Sequence, residues 1–152
     1  MQLSPHFSLA QLTYSETAEK EGIDNSPPPE IVENLKRLAS ELEQVQSLLG
    51  APLDISSAYR CAALNEAVGG SETSQHMLGL AADLACPGFG APLDVARAIH
   101  LSDIDFDQCI LEYGRWVHLS FNDAPRGRVL TIYDEKIGYL AGLWDPDGNR
   151  IA

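Results

Sequence analysis

The longest regular pattern in the chain lies in "EIVENLKRLASELEQVQSLL", where Ile31, Leu35, Leu38, Leu42, Val45 and Leu49 recur in alternating steps of four and three. That spacing lines one face of a helix with apolar side chains and leaves the charged residues outside. Ser26 and the prolines of "SPPP" offer a start, because proline suits a first helical turn, and Gly50 offers the stop. A core helix is expected here, since the run is short for a coiled coil. Before it, residues 1–25 read as short helical pieces joined by turns, with Ser8 and Ser15 as N-caps.

After Gly50 the period changes. "PLDISSAYR" reads as a strand, "CAALNEAVGG" as a short helix closed by glycines, "GLAADLAC" as a second strand and "APLDVARAIH" as a helix. Beyond Asp103 the chain turns strand-rich, in "FDQCILEY", "RWVHLSF" and "GRVLTIYD". The short connections at Gly114–Arg115 and "NDAPRG" suggest antiparallel hairpins, and "DPDGNRIA" reads as a loose end rich in turn residues. Helices first and strands later, with no repeat and no linker, predict one α+β domain.

The period-two rule also says where polar groups go. It sets Trp116, His118 and Ser120 on one face of their strand and the apolar row Val117, Leu119 and Phe121 on the other. It likewise separates Asp83 from Ala82 and Leu84, and Glu112 from Leu111. Three strands thus bury an apolar face and each offers a titratable group opposite. His76, Asp83 and His118 make a two-nitrogen, one-oxygen ligand set suited to a divalent metal, and three protein ligands leave a fourth position open for chemistry. The plainer alternative is a pair of packed histidines and an aspartate that caps a turn.

Composition narrows the partners. The formal charge is −12, which argues against a polyphosphate ligand, so no nucleic acid is expected. No apolar run approaches the roughly 18 residues of a membrane span, and no insertion into a bilayer is expected. The N-terminus lacks a basic start followed by an apolar stretch, so synthesis in the cytoplasm without a signal peptide is expected. Cys61, Cys86 and Cys109 are odd in number and show no CxxC spacing, which disfavours a disulfide framework, a zinc–cysteine cluster or a redox role; reduced, structural thiols are expected.

The segment "SQHMLGLAAD" matches "SxHxxGxAxD" at Ser74, His76, Gly79, Ala81 and Asp83. This resembles the signature of zinc D-Ala-D-Ala carboxypeptidases and the related phage L-alanyl-D-glutamate endopeptidases. The likeness extends upstream through "ISSAYRCAALNEAVGGS" and the N-terminal "FSLAQLTYSETAEKEGIDNSPPPEIVENLKRLA", and downstream to "WVHLSF", about three-quarters of the chain. The resemblance implies a fold shared with hedgehog signalling domains, an antiparallel sheet flanked by helices with zinc on its concave face. It implies a single, monomeric zinc peptidase domain over residues 1–152. Within it, residues 1–50 form a helical part, 51–135 the catalytic core and 136–152 a C-terminal tail. By matching position it implies His76, Asp83 and His118 as the Zn2+ ligands.

Many members of that family carry an acidic residue three positions before the last histidine, where this chain has Arg115, which cannot serve as a base. The nearest carboxylate is Glu112, six positions before His118, an arrangement that resembles hedgehog-like members. Glu112 is therefore expected to take a proton from a zinc-activated water and pass it to the leaving amine. Arg60 matches the arginine that grips a substrate carboxylate, a task its planar guanidinium suits. Ser74 and Tyr59 are expected to add hydrogen bonds to the substrate or to the groups behind the ligands, and Trp116 to form a pocket wall. His6 and His100 lie outside the motifs and read as surface or packing residues.

Two functions stay open on these grounds. One is a peptidase acting on peptidoglycan stem or cross-bridge peptides, as carboxypeptidase or endolysin-type endopeptidase, reaching the wall by phage-type release or on a virion. The other is a zinc-bearing binding module of the hedgehog-like fold that has lost catalysis, kept open by Arg115.

Overall fold

A computed structural model describes residues 1–152. The element order is α1 (Leu9–Thr13), α2 (Glu16–Glu21), α3 (Pro29–Leu49), β1 (Asp54–Ser57), α4 (Ala62–Ala67), a 3-10 turn (Gln75–Leu78), β2 (Ala81–Ala85), α5 (Pro92–His100), β3 (Gln108–Glu112), β4 (Trp116–Ser120), β5 (Arg128–Ile132) and β6 (Leu140–Ala141). The strands form one six-stranded sheet in the order β1-β2-β4-β3-β5-β6. The mixture of helices and sheet is the expected α+β class. Residues group into two compact units, Met1–Glu43 with Ile55–Ala82, and Gln44–Asp54 with Asp83–Ala152.

In the first unit, Ser8 and Ser15 cap α1 and α2 as expected, each accepting a backbone N–H at 3.1 Å. Helix α3 begins at Pro29, later than Ser26, with the Pro28 carbonyl accepting from Ile31 and Val32. The reason is steric: Ser26, Pro27 and Pro28 each precede a proline, and a residue before proline is disfavoured in the α region. The apolar stripe of α3 is the core stripe, with Leu35, Leu38, Leu42 and Val45 fully buried. The side chain of Asn25 ties the early helices to the segment after β1. Its amide donates to the carbonyls of Thr13 (2.9 Å) and Tyr59 (3.0 Å), and its Oδ1 accepts from Cys61 N (2.8 Å).

In the second unit, β3 and β4 form the expected antiparallel hairpin, closed by a turn in which Tyr113 and Gly114 have φ of 57° and 64° and Arg115 N donates to Glu112 O. Positive φ at both central residues matches the twist of the strands, although a bulky tyrosine rarely adopts it. Helix α5 packs on β3 and β4, over the face that carries Cys109, Leu111, Val117 and Leu119, all at 0% exposure.

The second expected hairpin does not form. Strand β5 pairs with β3, in parallel, and the "NDAPRG" segment passes the end of β3 instead of turning back along β4. A strand has two edges, and those of β4 are taken by β2 and β3. A buried carboxylate pins the crossing: Asp107, fully buried just before β3, accepts from Arg126 N (3.0 Å), Nε (2.9 Å) and Nη2 (2.7 Å). Pairing of this kind is what makes a buried charge tolerable.

Nor is the C-terminus loose. β6 runs antiparallel to β5, Trp144 bridges to Arg150, and Leu143 N donates to the Ala152 carbonyl at 2.9 Å. The Asp145 carboxylate organises the "DPDGN" turn by accepting from the backbone N–H of Asp147 (3.0 Å) and Asn149 (2.8 Å).

Candidate metal centre

His76 sits on the single 3-10 turn, held at both ends by the residues of its motif. Ser74 Oγ accepts from His76 N at 3.2 Å, and Gly79, at φ 70°, ends the turn in the left-handed conformation. A side chain at Gly79 would meet Ile31 and Leu35 of α3 at 3.1 Å, so both backbone shape and space call for glycine there. The His76 imidazole is 2% exposed and its Nδ1 lies 2.6 Å from the Ala58 carbonyl. A carbonyl can only accept, so Nδ1 carries the hydrogen and Nε2 presents the lone pair, as in a metal-ligating histidine.

Asp83 lies in the middle of β2, and His118 in the middle of β4. Asp83 Oδ1 and His118 Nδ1 are 3.0 Å apart, with both side chains 12% exposed. One ligand atom from each of His76, Asp83 and His118 lies within 4.8 Å of the others. Four-coordinate zinc with bonds of about 2.0–2.2 Å holds its ligand atoms about 3.3 Å apart, so modest side-chain adjustment gathers this set on one ion. Two neutral imidazoles and a carboxylate are the donors that zinc accepts, and a carboxylate this deeply buried is stabilised by a cation among them. The donor set fits the metal.

Register places the remaining residues. Glu112 pairs with Trp116 and Ile110 with His118, so Glu112 and His118 share one face of the β3–β4 ladder as diagonal neighbours. Such neighbours stand about 7–8 Å apart at the backbone, within reach of long side chains. Trp116 Nε1 donates to Glu112 Oε2 at 3.0 Å, which aims the carboxylate. The indole thus holds the Glu112 carboxylate. Arg115 is exposed on the turn.

Arg60 follows β1, and its backbone N–H donates to the His76 carbonyl at 3.1 Å. Its guanidinium is oriented by two acceptors, Asn65 Oδ1 to Nε (3.1 Å) and Ser74 Oγ to Nη2 (3.3 Å). Ser74 therefore serves both the arginine and the His76 turn. Tyr59 is 6% exposed, and burial first, then the nearby Cys61 and Glu30, push its phenol above the usual value.

Asn65 had no assigned role in the sequence reading. It is 3% exposed and also donates to the Ser71 carbonyl at 2.9 Å, while a side chain at Gly70 would run into its amide. The signal was present, because Asn65 stands in "NEAVGG" within the quoted motif. For Asn25 and the Ala58 carbonyl there was none, since neither role shows in residue type or spacing. His6 is a surface residue, with Nδ1 2.7 Å from Glu43. All three cysteines are free thiols.

Compared with known proteins, the chain matches the family model described as Peptidase M15 over residues 5–120. A comparison with curated proteins finds no match.

Proposed function

Because the chain belongs to the peptidase M15 family, a family of zinc-dependent metallopeptidases, we propose that it hydrolyses peptide bonds in peptidoglycan stem or cross-bridge peptides. The observation that carries this reading is the gathering of His76, Asp83 and His118 within 4.8 Å, with Glu112 on the ladder face that bears His118.

His76, Asp83 and His118 would hold the zinc. When bound, the ion supplies a Lewis acid that polarises a carbonyl and acidifies water to a pKa of about 7. Glu112, aimed by the Trp116 indole, is the base that accepts the proton of the attacking water and returns it to the leaving amine. Arg60, steadied by Asn65 and Ser74, grips a substrate carboxylate. A zinc-bearing binding module is the second reading, and exposed Arg115 at the common base position is its one support. Glu112 on the His118 face weighs against it.

The deciding experiment digests purified muropeptides and identifies the products by mass, with chelator and with zinc restored. Loss with chelator and recovery with zinc are expected, and the product masses separate a trimmed terminal residue from an internal cut. Glu112→Gln should lower turnover by about 100-fold or more while zinc content stays at the wild-type level. Undiminished turnover in that variant would remove Glu112 as the base.

A further inference from the structure

We propose that Tyr139 is a substrate-contacting residue, its phenol donating a hydrogen bond to a carbonyl oxygen of the peptide bound beside Glu112. This rests on the peptidase reading above and adds a contact from a segment beyond residues 5–120, the span the family model matches.

The placement follows from strand register. Leu140 pairs with Thr131, and Thr131 with Leu111, so these three share a row and a face. Leu111 and Thr131 are fully buried on the side that α5 covers. Tyr139 stands one position earlier, and alternation turns it to the opposite side. Continuing the antiparallel register one step past the Thr131–Leu140 pair sets it opposite Ile132, which pairs with Glu112, which pairs with Trp116. Ile132 is 4% exposed, whereas Tyr139 is 58% exposed and open to an arriving ligand.

Electrostatics agree with the geometry. Burial first, then the charges of Glu112, Asp83 and Glu135, push the Tyr139 phenol above its ordinary value. Tyr113, on the left-handed turn after Glu112, feels Tyr139 in turn. An ordinary phenol keeps its proton at neutral pH and can donate it in a hydrogen bond. An arriving peptide brings carbonyl acceptors, and an exposed aromatic ring beside them adds apolar contact at small entropic cost.

The test separates binding from chemistry. Zinc-loaded Glu112→Gln protein is titrated calorimetrically with the pentapeptide L-Ala-γ-D-Glu-L-Lys-D-Ala-D-Ala, with and without Tyr139→Phe. Loss of one hydrogen bond should raise Kd by about 3- to 10-fold, with Tm and zinc content unchanged, and Tyr139→Ala should raise it further. Equal Kd for the Phe variant and its parent overturns the proposal, as does failure of the peptide to bind the parent. If wild-type protein binds this peptide without cleaving it, the catalytic reading fails, while the Kd ratio still decides for or against Tyr139.

Discussion

Replacing Gly79 by alanine adds one methyl group and should expose how tightly the His76 turn is fitted against α3. Two costs add. Holding an alanine at φ 70° costs about 1–2 kcal/mol. The new Cβ would also stand 3.1 Å from Ile31 Cγ2 and Leu35 Cγ, and 3.2 Å from Leu35 Cδ2. Favourable carbon contacts lie at about 3.5–4.0 Å. Leu35 is fully buried and has little room to yield, so overpacking costs about 1–3 kcal/mol more. Together these give about 2–5 kcal/mol, or a fall in Tm of about 4–20 °C for a chain of this size. Gly22 supplies the control, with φ 65° and nothing within 4 Å of an added Cβ. Gly22→Ala should carry the backbone cost alone and lower Tm by about 2–8 °C. Both melts are followed by circular dichroism in chelator, so that metal affinity does not enter. Equal losses in the two variants would refute the packing half of the reasoning.

Asn65→Ala should unlock the Arg60 guanidinium and raise KM for peptides with a free carboxylate by about 10- to 150-fold, a charge-assisted hydrogen bond being worth about 1.5–3 kcal/mol; kcat should change little. A KM unmoved in both Asn65→Ala and Arg60→Ala would end the clamp assignment. Acid should destabilise the fold through carboxylates held below their ordinary values. Burial pushes Glu43 up, but hydrogen bonds from Ser4 and His6 outweigh it, and hydrogen bonds from Ser26 and from the Asn149 backbone lower Asp24 and Asp145. The folded state then binds fewer protons than the unfolded one, so this stability is present above about pH 4.5 and lost as pH falls through the lowered values. Urea midpoints at pH 6 and pH 3 should show the loss, with a smaller drop in Glu43→Gln; an identical drop would discount Glu43.

Much of the site was legible in the linear pattern because its constraints are local. The span from Ser74 to Gly79 is one capped turn, whose hydroxyl, imidazole and positive-φ residue must keep fixed offsets whatever surrounds them. Alternation along β3 and β4 likewise sorted Glu112, Trp116 and His118 onto one face, because side-chain direction in a strand follows from the backbone alone. The stripe of α3 declared its buried face for the same reason, while the α3 start was misplaced at Ser26 because three successive prolines delay the helix.

What the sequence by itself determined, then, is the type of the main helices and of β1 to β5, the buried faces of α3, β3 and β4, and the chemistry they carry, but not β6. Which edge β5 would join was decided only in three dimensions, where β2 and β3 had filled both edges of β4 and buried Asp107 captured Arg126. The tautomer of His76 was settled by the carbonyl of Ala58, eighteen residues away, and the aim of Arg60 by Asn65 and Ser74. Side-chain direction within an element is a property of neighbouring residues along the chain. Edge availability and hydrogen-bond partnership depend on distant segments meeting, and no local pattern encodes which of them will.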